Sequence, residues 1–548
     1  MAEAVSELII PLIVAEMIDN GIANSDKRYI VLLGIQMIIL GSIGLALSIT
    51  AQYFAADTAV STVKRLRHDV YTKIMGMSYS DYDKIGSANL ITRMTADMDS
   101  VQNGINLTLR LLLRSPFVVA GAVIMSFRVD RSASMTYAVI VPVLAVIIIT
   151  AMILSVSLFG KVRARLDRVL ISVREYLTGT RVIRAFNIED RQVEEFRSLN
   201  NGLTALQKAA GAVSSAVNPL TSTVVNIGIA ALIYSGAVRV NAGLLTTGAV
   251  VALYNYMSQI LVELIKFANL INSIVKSLAC AKRISGVLST EEHKPNTNET
   301  ASAEGYINFK DVSFAYDGSS EYSVENISFE VGKNETVGII GSTGSGKTTL
   351  MNLLCGNYKP EKGSISIDGA SVFSAGFEKI KNRIAYVEQK PLLFTGTVRS
   401  NLTMGKEDIS DEDIVKALRA AQAYEFVSER DGGIDCEVLQ GGKNFSGGQR
   451  QRLAVARALC SKPDILILDD ASSALDYYTD AKMRDAISEY GNSTVFIVSQ
   501  RTSSILSADK IIVLENGKME IGTHSELLKS SPVYREIHYS QFEEDEAI

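Results

Sequence analysis

The segment Thr336 to Leu354, TVGIIGSTGSGKTTLMNLL, carries the most chemistry in the chain. Thr336 to Ile340 reads as a buried strand, Gly341 to Gly346 as a glycine-rich turn, and Lys347 onward as an apolar-periodic helix. The spacing GxxxxGK[ST] is met by Gly341, Gly346, Lys347 and Thr348. Glycine permits the backbone of Gly341, Ser342, Gly344, Ser345 and Gly346 to wrap so that its N–H groups converge on phosphate oxygens. The helix start at Lys347, Thr348 and Thr349 adds a positive dipole end. Lys347 neutralises terminal phosphate charge, and the Thr348 hydroxyl suits Mg²⁺. A second apolar run, Ile465 to Leu468, ends in Asp469. A carboxylate there, beside the phosphate turn, suits a Mg²⁺ held largely through water. Ser446, Gly447, Gly448 and Gln449 precede a helical run, RQRLAVARAL. They form either a second anion site or an ordinary helix N-cap, and the residues alone favour the cap.

The elements that position these residues occupy less than half of the chain. At 548 residues there is room for three or four units of about 150 residues each. An apolar share of 47% and a charged share of 21% average over two unlike halves and exclude a disordered chain. A net charge of −5 gives no reason to expect a nucleic-acid partner. Cys280, Cys355, Cys436 and Cys460 are widely spaced, so neither a disulfide framework nor a zinc site is expected. Residues 305–548 alternate short β-branched runs with helical patterns, as α/β domains do.

The first 285 residues are different. Tyr29 to Ala56, Ser132 to Phe159, Ala209 to Val238 and Val240 to Val262 contain no formal charge. Each exceeds the roughly 20 residues that a helix needs to cross a hydrocarbon core of about 30 Å. Weaker spans run from Leu107 to Phe127 and from Leu8 to Ile18, the latter too short to cross unaided. Arg, Lys and helical pattern concentrate in Asp57–Asn106 and Gly160–Lys208, which the positive-inside rule makes cytoplasmic. The expectation is an all-α polytopic domain of six spans over 1–285, a polar linker over 286–304, and a cytoplasmic α/β domain over 305–548. Arg110 and Arg114 read as cations snorkelling at a span end, and Asn255, Gln259 and Glu263 as candidate cavity-lining residues.

Six spans, two long cytoplasmic extensions and a fused ATPase resemble one half of an ABC exporter, and the resemblance covers nearly the whole chain. The motif Ser446-Gly447-Gly448-Gln449 resembles the family signature, and 341–348 and 465–469 the Walker A and B motifs. Tyr316 resembles the adenine-stacking tyrosine, Gln389 the Q-loop glutamine and a further Mg²⁺ ligand, Glu437 the exporter X-loop and Ala471 to Asp476 the D-loop. The resemblance implies an exporter fold with a P-loop ATPase domain containing a helical subdomain, and ATP and Mg²⁺ as its nucleotide and metal. It also implies multi-pass residence in the plasma membrane and alternating-access efflux of a small amphipathic substrate: a drug, lipid or peptide. In the family two ATPase domains pair head to tail, each ATP lying between the Walker A of one and the signature of the other. Short coupling helices near Met77–Lys84 and Ile183–Asp190 then carry closure to the spans.

Two positions depart from the pattern. Where active subunits have a glutamate after Walker B, this chain has Asp470, and the switch histidine is Gln500. Aspartate is one methylene shorter, and glutamine cannot carry a positive charge. With the signature intact, the resemblance implies the degenerate half of a heterodimer, working with a second, non-identical half-transporter. Two alternatives stand beside it: a homodimer using Asp470 as a slow base, and an ATP-gated regulatory subunit. Family members begin with an elbow helix and a full first span, so the first span is expected to be truncated.

Overall fold

The computed structural model describes residues 1–290, 305–374 and 380–542. Most of the expected linker therefore lies outside the described residues. The chain divides into two units: residues 1–75 with 86–290, and residues 76–85 with the chain beyond 290.

The first unit is helical. It contains α1 (Ala2–Glu16), α2 (Lys27–Met75), α4 (Ser87–Thr92), α5 (Met98–Leu111), α6 (Arg114–Val129), α7 (Arg131–Thr178), α8 (Thr180–Ala185), α9 (Glu189–Asn241) and α10 (Thr247–Leu288), while α3 (Tyr79–Ile85) belongs to the second unit. Among the described residues five stretches are long and apolar enough to cross a membrane: Lys27–Met75, Ser87–Val129, Arg131–Thr178, Glu189–Asn241 and Thr247–Leu288. Helix α7, with 48 residues, extends about 72 Å, some 40 Å more than a hydrocarbon core requires. The expected extension beyond this span is thus a continuation of its own helix. Asp130 accepts from the Ala133 N–H at the start of α7 and also receives Arg239 at 2.8 Å, tying the start of α7 to the end of α9. Val139, Val146 and Ile153, one face of α7 at seven-residue spacing, are exposed as lipid-facing residues are. Inside, the buried Tyr256 hydroxyl donates to the Leu8 carbonyl at 2.7 Å and Tyr137 donates to the Leu253 carbonyl. Each phenol thereby finds an acceptor where no water is available.

Two expectations for the spans are corrected. The third span is interrupted rather than ideal: α5 stops at Leu111 and α6 restarts at Arg114, with Leu112 and Leu113 still right-handed helical and Pro116 in the first turn of α6. Arg114 does not snorkel, and Glu263 is not free to line a cavity. Arg114 lies 3.3 Å from Glu263, 2.6 Å from Glu7 and 3.5 Å from Glu3, and Glu263 also receives Ser115 at 2.7 Å and Lys266 at 2.8 Å. The Glu263 side chain is only 3% exposed and Arg114 17%, so this pair is a largely buried joint of α6 to α10, with Glu7 of α1 and Lys266 at its more exposed rim.

The second unit is α/β. A four-stranded antiparallel sheet has the order β2-β1-β4-β5, from β1 (Ile307–Phe314), β2 (Val324–Val331), β4 (Lys362–Ile367) and β5 (Ala370–Ser371). A six-stranded sheet has the order β12-β11-β3-β10-β9-β6. Its strands are β3 (Thr336–Gly341), β6 (Ile384–Val387), β9 (Ile465–Asp469), β10 (Thr494–Val498), β11 (Lys510–Glu515) and β12 (Lys518–Gly522); the short pair β7 (Gly396–Thr397) and β8 (Glu437–Val438) stands apart. Strands β11, β3, β10, β9 and β6 run parallel, and β3 and β9 are almost wholly buried, as strands covered on both faces are. Register places Val498 beside both Ile339 and Asp469. The phosphate turn, Asp469, Asp470 and Gln500 therefore emerge together at the carboxyl edge of the sheet, where ligands of such folds bind. A helical cluster built on Leu418, Val427, Phe445 and Leu453 forms the expected subdomain. All four cysteines are free and buried.

Helix α3, the expected first coupling helix, packs on this unit. Lys84 pairs with Asp317 at 2.9 Å, Ser80 donates to Asp317 at 2.8 Å, and Tyr358 donates to Asp83. The second expected coupling helix appears as α8 in the first unit and is followed by Phe186, which is largely exposed.

Candidate nucleotide site

The phosphate turn is shaped by two glycines. Gly346 has φ +99°, and a Cβ there would collide with the Ser323 carbonyl. A Cβ on Gly341 would collide with the Leu514 carbonyl on β11. Helix α11 (Lys347–Leu354) follows, and its buried Leu350, Met351, Leu353 and Leu354 anchor it below the sheet. The Lys347 ammonium lies back over its own loop, donating to the Gly341 carbonyl at 2.8 Å and the Ser342 carbonyl at 2.7 Å. Burial lowers its pKa from the ordinary lysine value.

A cavity of about 330 Å³ opens over the turn. Its walls include Gly344, Gly346, Lys347, Thr348 and Thr349 from the turn, with Tyr316, Gln389, Asp469, Asp470 and Gln500 from elsewhere. The structure thus brings together residues drawn from positions 316 to 500. Gly341, Ser342 and Ser345 shape the turn without lining the cavity. The Tyr316 ring is held edge-on between Phe314, at 5.0 Å, and Tyr358, at 5.3 Å, and its hydroxyl lies 3.1 Å from the Thr349 hydroxyl. This fixed ring is fit to stack on a planar base, a contact worth about 1–3 kcal/mol.

Asp470 has φ +50°, a left-handed conformation that aspartate tolerates better than most residues. Its backbone N–H donates to the Val498 carbonyl at 2.9 Å, and its carboxylate receives the Gln389 amide at 3.1 Å. Burial raises the Asp470 pKa, partly opposed by the Gln389 bond. The Gln500 side chain is exposed to the cavity and makes no hydrogen bond among the described residues. Thr348, Asp469 and Gln389 present the hard oxygen donors that Mg²⁺ prefers. Gln389 spends its amide nitrogen on Asp470, which leaves its carbonyl oxygen for a metal.

Ser446 to Gln449 do not line this cavity. They start the helix Gly447–Cys460, where Ser446 accepts from the Gln449 N–H at 3.3 Å and Gln449 accepts from the Ser446 N–H at 2.9 Å. The cap reading is realised as a reciprocal capping box. Glu437 lies on β8, and the Asn444 side chain bridges its carbonyl, at 2.7 Å, to the Leu439 N–H, at 3.1 Å. The segment resembling the X-loop is thereby tied to the signature.

Three positioning residues escaped the sequence reading. Tyr386 donates to the buried Asp469 carboxylate at 2.7 Å; burial and that carboxylate push its phenol well above the ordinary range. Gln451 donates to the Asp470 carbonyl at 2.9 Å and accepts from the Ala474 N–H at 3.3 Å, joining the signature helix to the turn after β9. Tyr358 backs the aromatic platform. An Ala-Tyr-Val-Glu-Gln strand end was the only available signal for Tyr386, and nothing in the sequence pairs it with Asp469. Tyr386→Phe is expected to weaken Mg-nucleotide binding about tenfold, from the loss of one hydrogen bond to a charged group. Binding measured without Mg²⁺ should hardly change. Titration calorimetry in both conditions separates the two, and equal weakening would contradict the assignment.

A polytopic helical unit and a P-loop α/β unit with a capped Ser-Gly-Gly-Gln helix start define an ATP-driven membrane transporter. The transmembrane part matches the ABC transporter transmembrane region over residues 1–264, and residues 324–473 match the ABC transporter ATPase model. The chain is 35% identical to the Uncharacterized ABC transporter ATP-binding protein YfiB of Bacillus subtilis (strain 168), over 99% of this chain and 95% of that one. It is 28% identical to the ATP-dependent lipid A-core flippase of Vibrio vulnificus (strain CMCP6), over 99% of this chain and 94% of the relative. A bacterial Atm1-family ABC exporter with ATP bound shares the fold, with a TM-score of 0.80 at 20% identity, over 98% of this chain and 95% of that one. This chain belongs to the ABC transporter family. It is an ABC half-transporter with the fold of an exporter: a multi-span membrane protein with a cytoplasmic, ATP-hydrolysing domain.

Proposed function

We propose that the chain is the degenerate-site half of a heterodimeric exporter, whose own Walker site binds ATP and hydrolyses it slowly. The observation that carries this reading is the pairing of Asp470 and Gln500 at the cavity mouth with an intact, capped signature on the same chain. Tyr316 stacks the adenine, the turn and Lys347 hold the phosphates, and Thr348, Asp469 and Gln389 hold Mg²⁺. The metal, when bound, neutralises charge developing on the phosphates. Asp470 is too short to act as an efficient base, and its carboxylate is engaged by Gln389. Gln500 hydrogen-bonds the γ-phosphate without supplying charge. Ser446, Gly447, Gly448 and Gln449 complete the site of a non-identical partner, where turnover takes place.

We assign the cargo to amphipathic molecules, with multidrug-type efflux as the functional class. The kinship with relatives named lipid A-core flippases favours a lipid-like member of that class. The test is the purified chain alone, reconstituted in bilayer discs. It should bind ATP, yet hydrolyse it at a small fraction of the rate reached with an unlike partner. Rapid turnover by the chain alone would favour the homodimer and sink the proposal.

A further inference from the structure

The loop that carries Gln500 is held from the far end of the chain. Gln541, just beyond the helix Pro532–Tyr539, donates from Nε2 to the Gln500 carbonyl at 2.8 Å. Its Oε1 accepts from the Thr502 N–H at 2.9 Å and from the Thr502 hydroxyl at 3.0 Å. One side-chain amide therefore uses both its donor and its acceptor on the same short stretch, and Thr502 is wholly buried. On the other side of Gln500, the Ser499 N–H donates to the Ile339 carbonyl at 3.0 Å, fixing that end to β3 just before the phosphate turn. The main chain of Gln500 is clamped on both sides while its side chain, without a hydrogen bond among the described residues, lines the nucleotide cavity.

The element that presents Gln541 is itself firmly seated. Tyr534 is fully buried, and packs with Ile505, Ile511, Val513 and Ile340, the last an apolar residue of β3 at the base of the turn. His524 Nδ1 lies 2.8 Å from the Tyr534 hydroxyl. A side chain anchored on a docked helix can set the depth of a neighbouring backbone, whereas one on a loose tail cannot.

We infer that Gln541 is a positioning residue for the switch. It fixes the Gln500 backbone at the depth from which its amide meets a γ-phosphate, so the C-terminal helix contributes to discrimination between ATP and ADP. This rests on the proposed reading of Gln500 as a γ-phosphate contact. A merely structural brace would affect both nucleotides alike, because both share the turn, Lys347 and Tyr316.

The experiment is competition of ATP and of ADP against a fluorescent ATP analogue, using the full-length chain in bilayer discs. Gln541→Ala should weaken ATP about fivefold, the effect of one hydrogen bond, with ADP held within about twofold. Gln541→Glu keeps the acceptor for Thr502 but loses the donor to Gln500, so it should show the same selective loss. It also serves as the readable variant if the alanine form does not fold. In a Gln500→Ala background the Gln541 substitution should add less than about twofold, since the two act as one unit. Equal weakening of ATP and ADP, an unaltered Gln541→Glu protein, or full additivity with Gln500→Ala would each overturn the inference. If Gln500→Ala itself leaves the ATP/ADP ratio untouched, the γ-phosphate reading falls and the inference falls with it. A changed ratio in Gln500→Ala with none in Gln541→Ala rejects the inference alone.

Discussion

Asp470→Glu combined with Gln500→His should raise ATP turnover by the purified chain by about 10²-fold or more, the usual contribution of a placed general base. On the proposed reading the wild-type aspartate falls short for a geometric reason. A base must lie about 2.6–3.2 Å from the proton it accepts, and loss of one methylene retracts the carboxylate by about 1–1.5 Å. Burial raises the Asp470 pKa, a direction that does not oppose a base's role, so the proposed deficit lies in its reach. Gln500 compounds this, because an amide cannot donate as a cation to charge developing on the phosphates. Either single substitution should recover only part of the rate, since phosphoryl transfer depends on placement and electrostatics together. Glutamate at φ +50° adds about 1–2 kcal/mol of backbone strain, a small stability loss beside the rate gain. Phosphate release, with Lys347→Ala added as a control that should abolish it, provides the measurement. A double variant no faster than wild type would show that the slow step lies elsewhere.

Arg114→Ala should destabilise the helical unit by about 3–5 kcal/mol, the usual result of removing one partner from a buried ion pair. Arg114 stands among Glu3, Glu7 and Glu263; without it Glu3 and Glu7 lose their cation and Glu263 keeps Lys266 and the Ser115 hydroxyl. The cost is desolvated, unbalanced negative charge rather than the value of any single contact. Arg114→Met with Glu263→Met removes both members of the most buried pair of this cluster and should restore much of the loss. Thermal melting of the detergent-solubilised protein, followed by size-exclusion chromatography, distinguishes the two. An unchanged midpoint for Arg114→Ala would mean that the cluster is solvated and contributes little.

Much of this molecule was legible from residue types alone. A charge-free run longer than a bilayer core has few soluble alternatives, so α2, α7, α9 and α10 were visible from hydropathy. GxxxxGK[ST] between a strand and a helix demands a particular backbone, which made the phosphate turn equally visible. Signals of this kind are local: each is a consequence of neighbours in the chain and of the solvent they must meet.

What lay beyond the sequence depends on which distant residues fold together. Arg114 and Glu263 are separated by 149 positions, and a cation at a span end looks the same whether it reaches water or a buried carboxylate. Tyr386 with Asp469, Gln451 with Asp470 and Gln541 with Gln500 are likewise pairings of registers, set by strand order and helix docking. The chain's own chemistry thus fixed the membrane spans and the nucleotide turn, because those follow from composition and spacing, whereas the departure at Asp470 is visible only beside the family pattern. Only folding could choose partners for the buried polar groups, because a group that has lost its water takes whatever donor or acceptor the packing brings within about 3 Å.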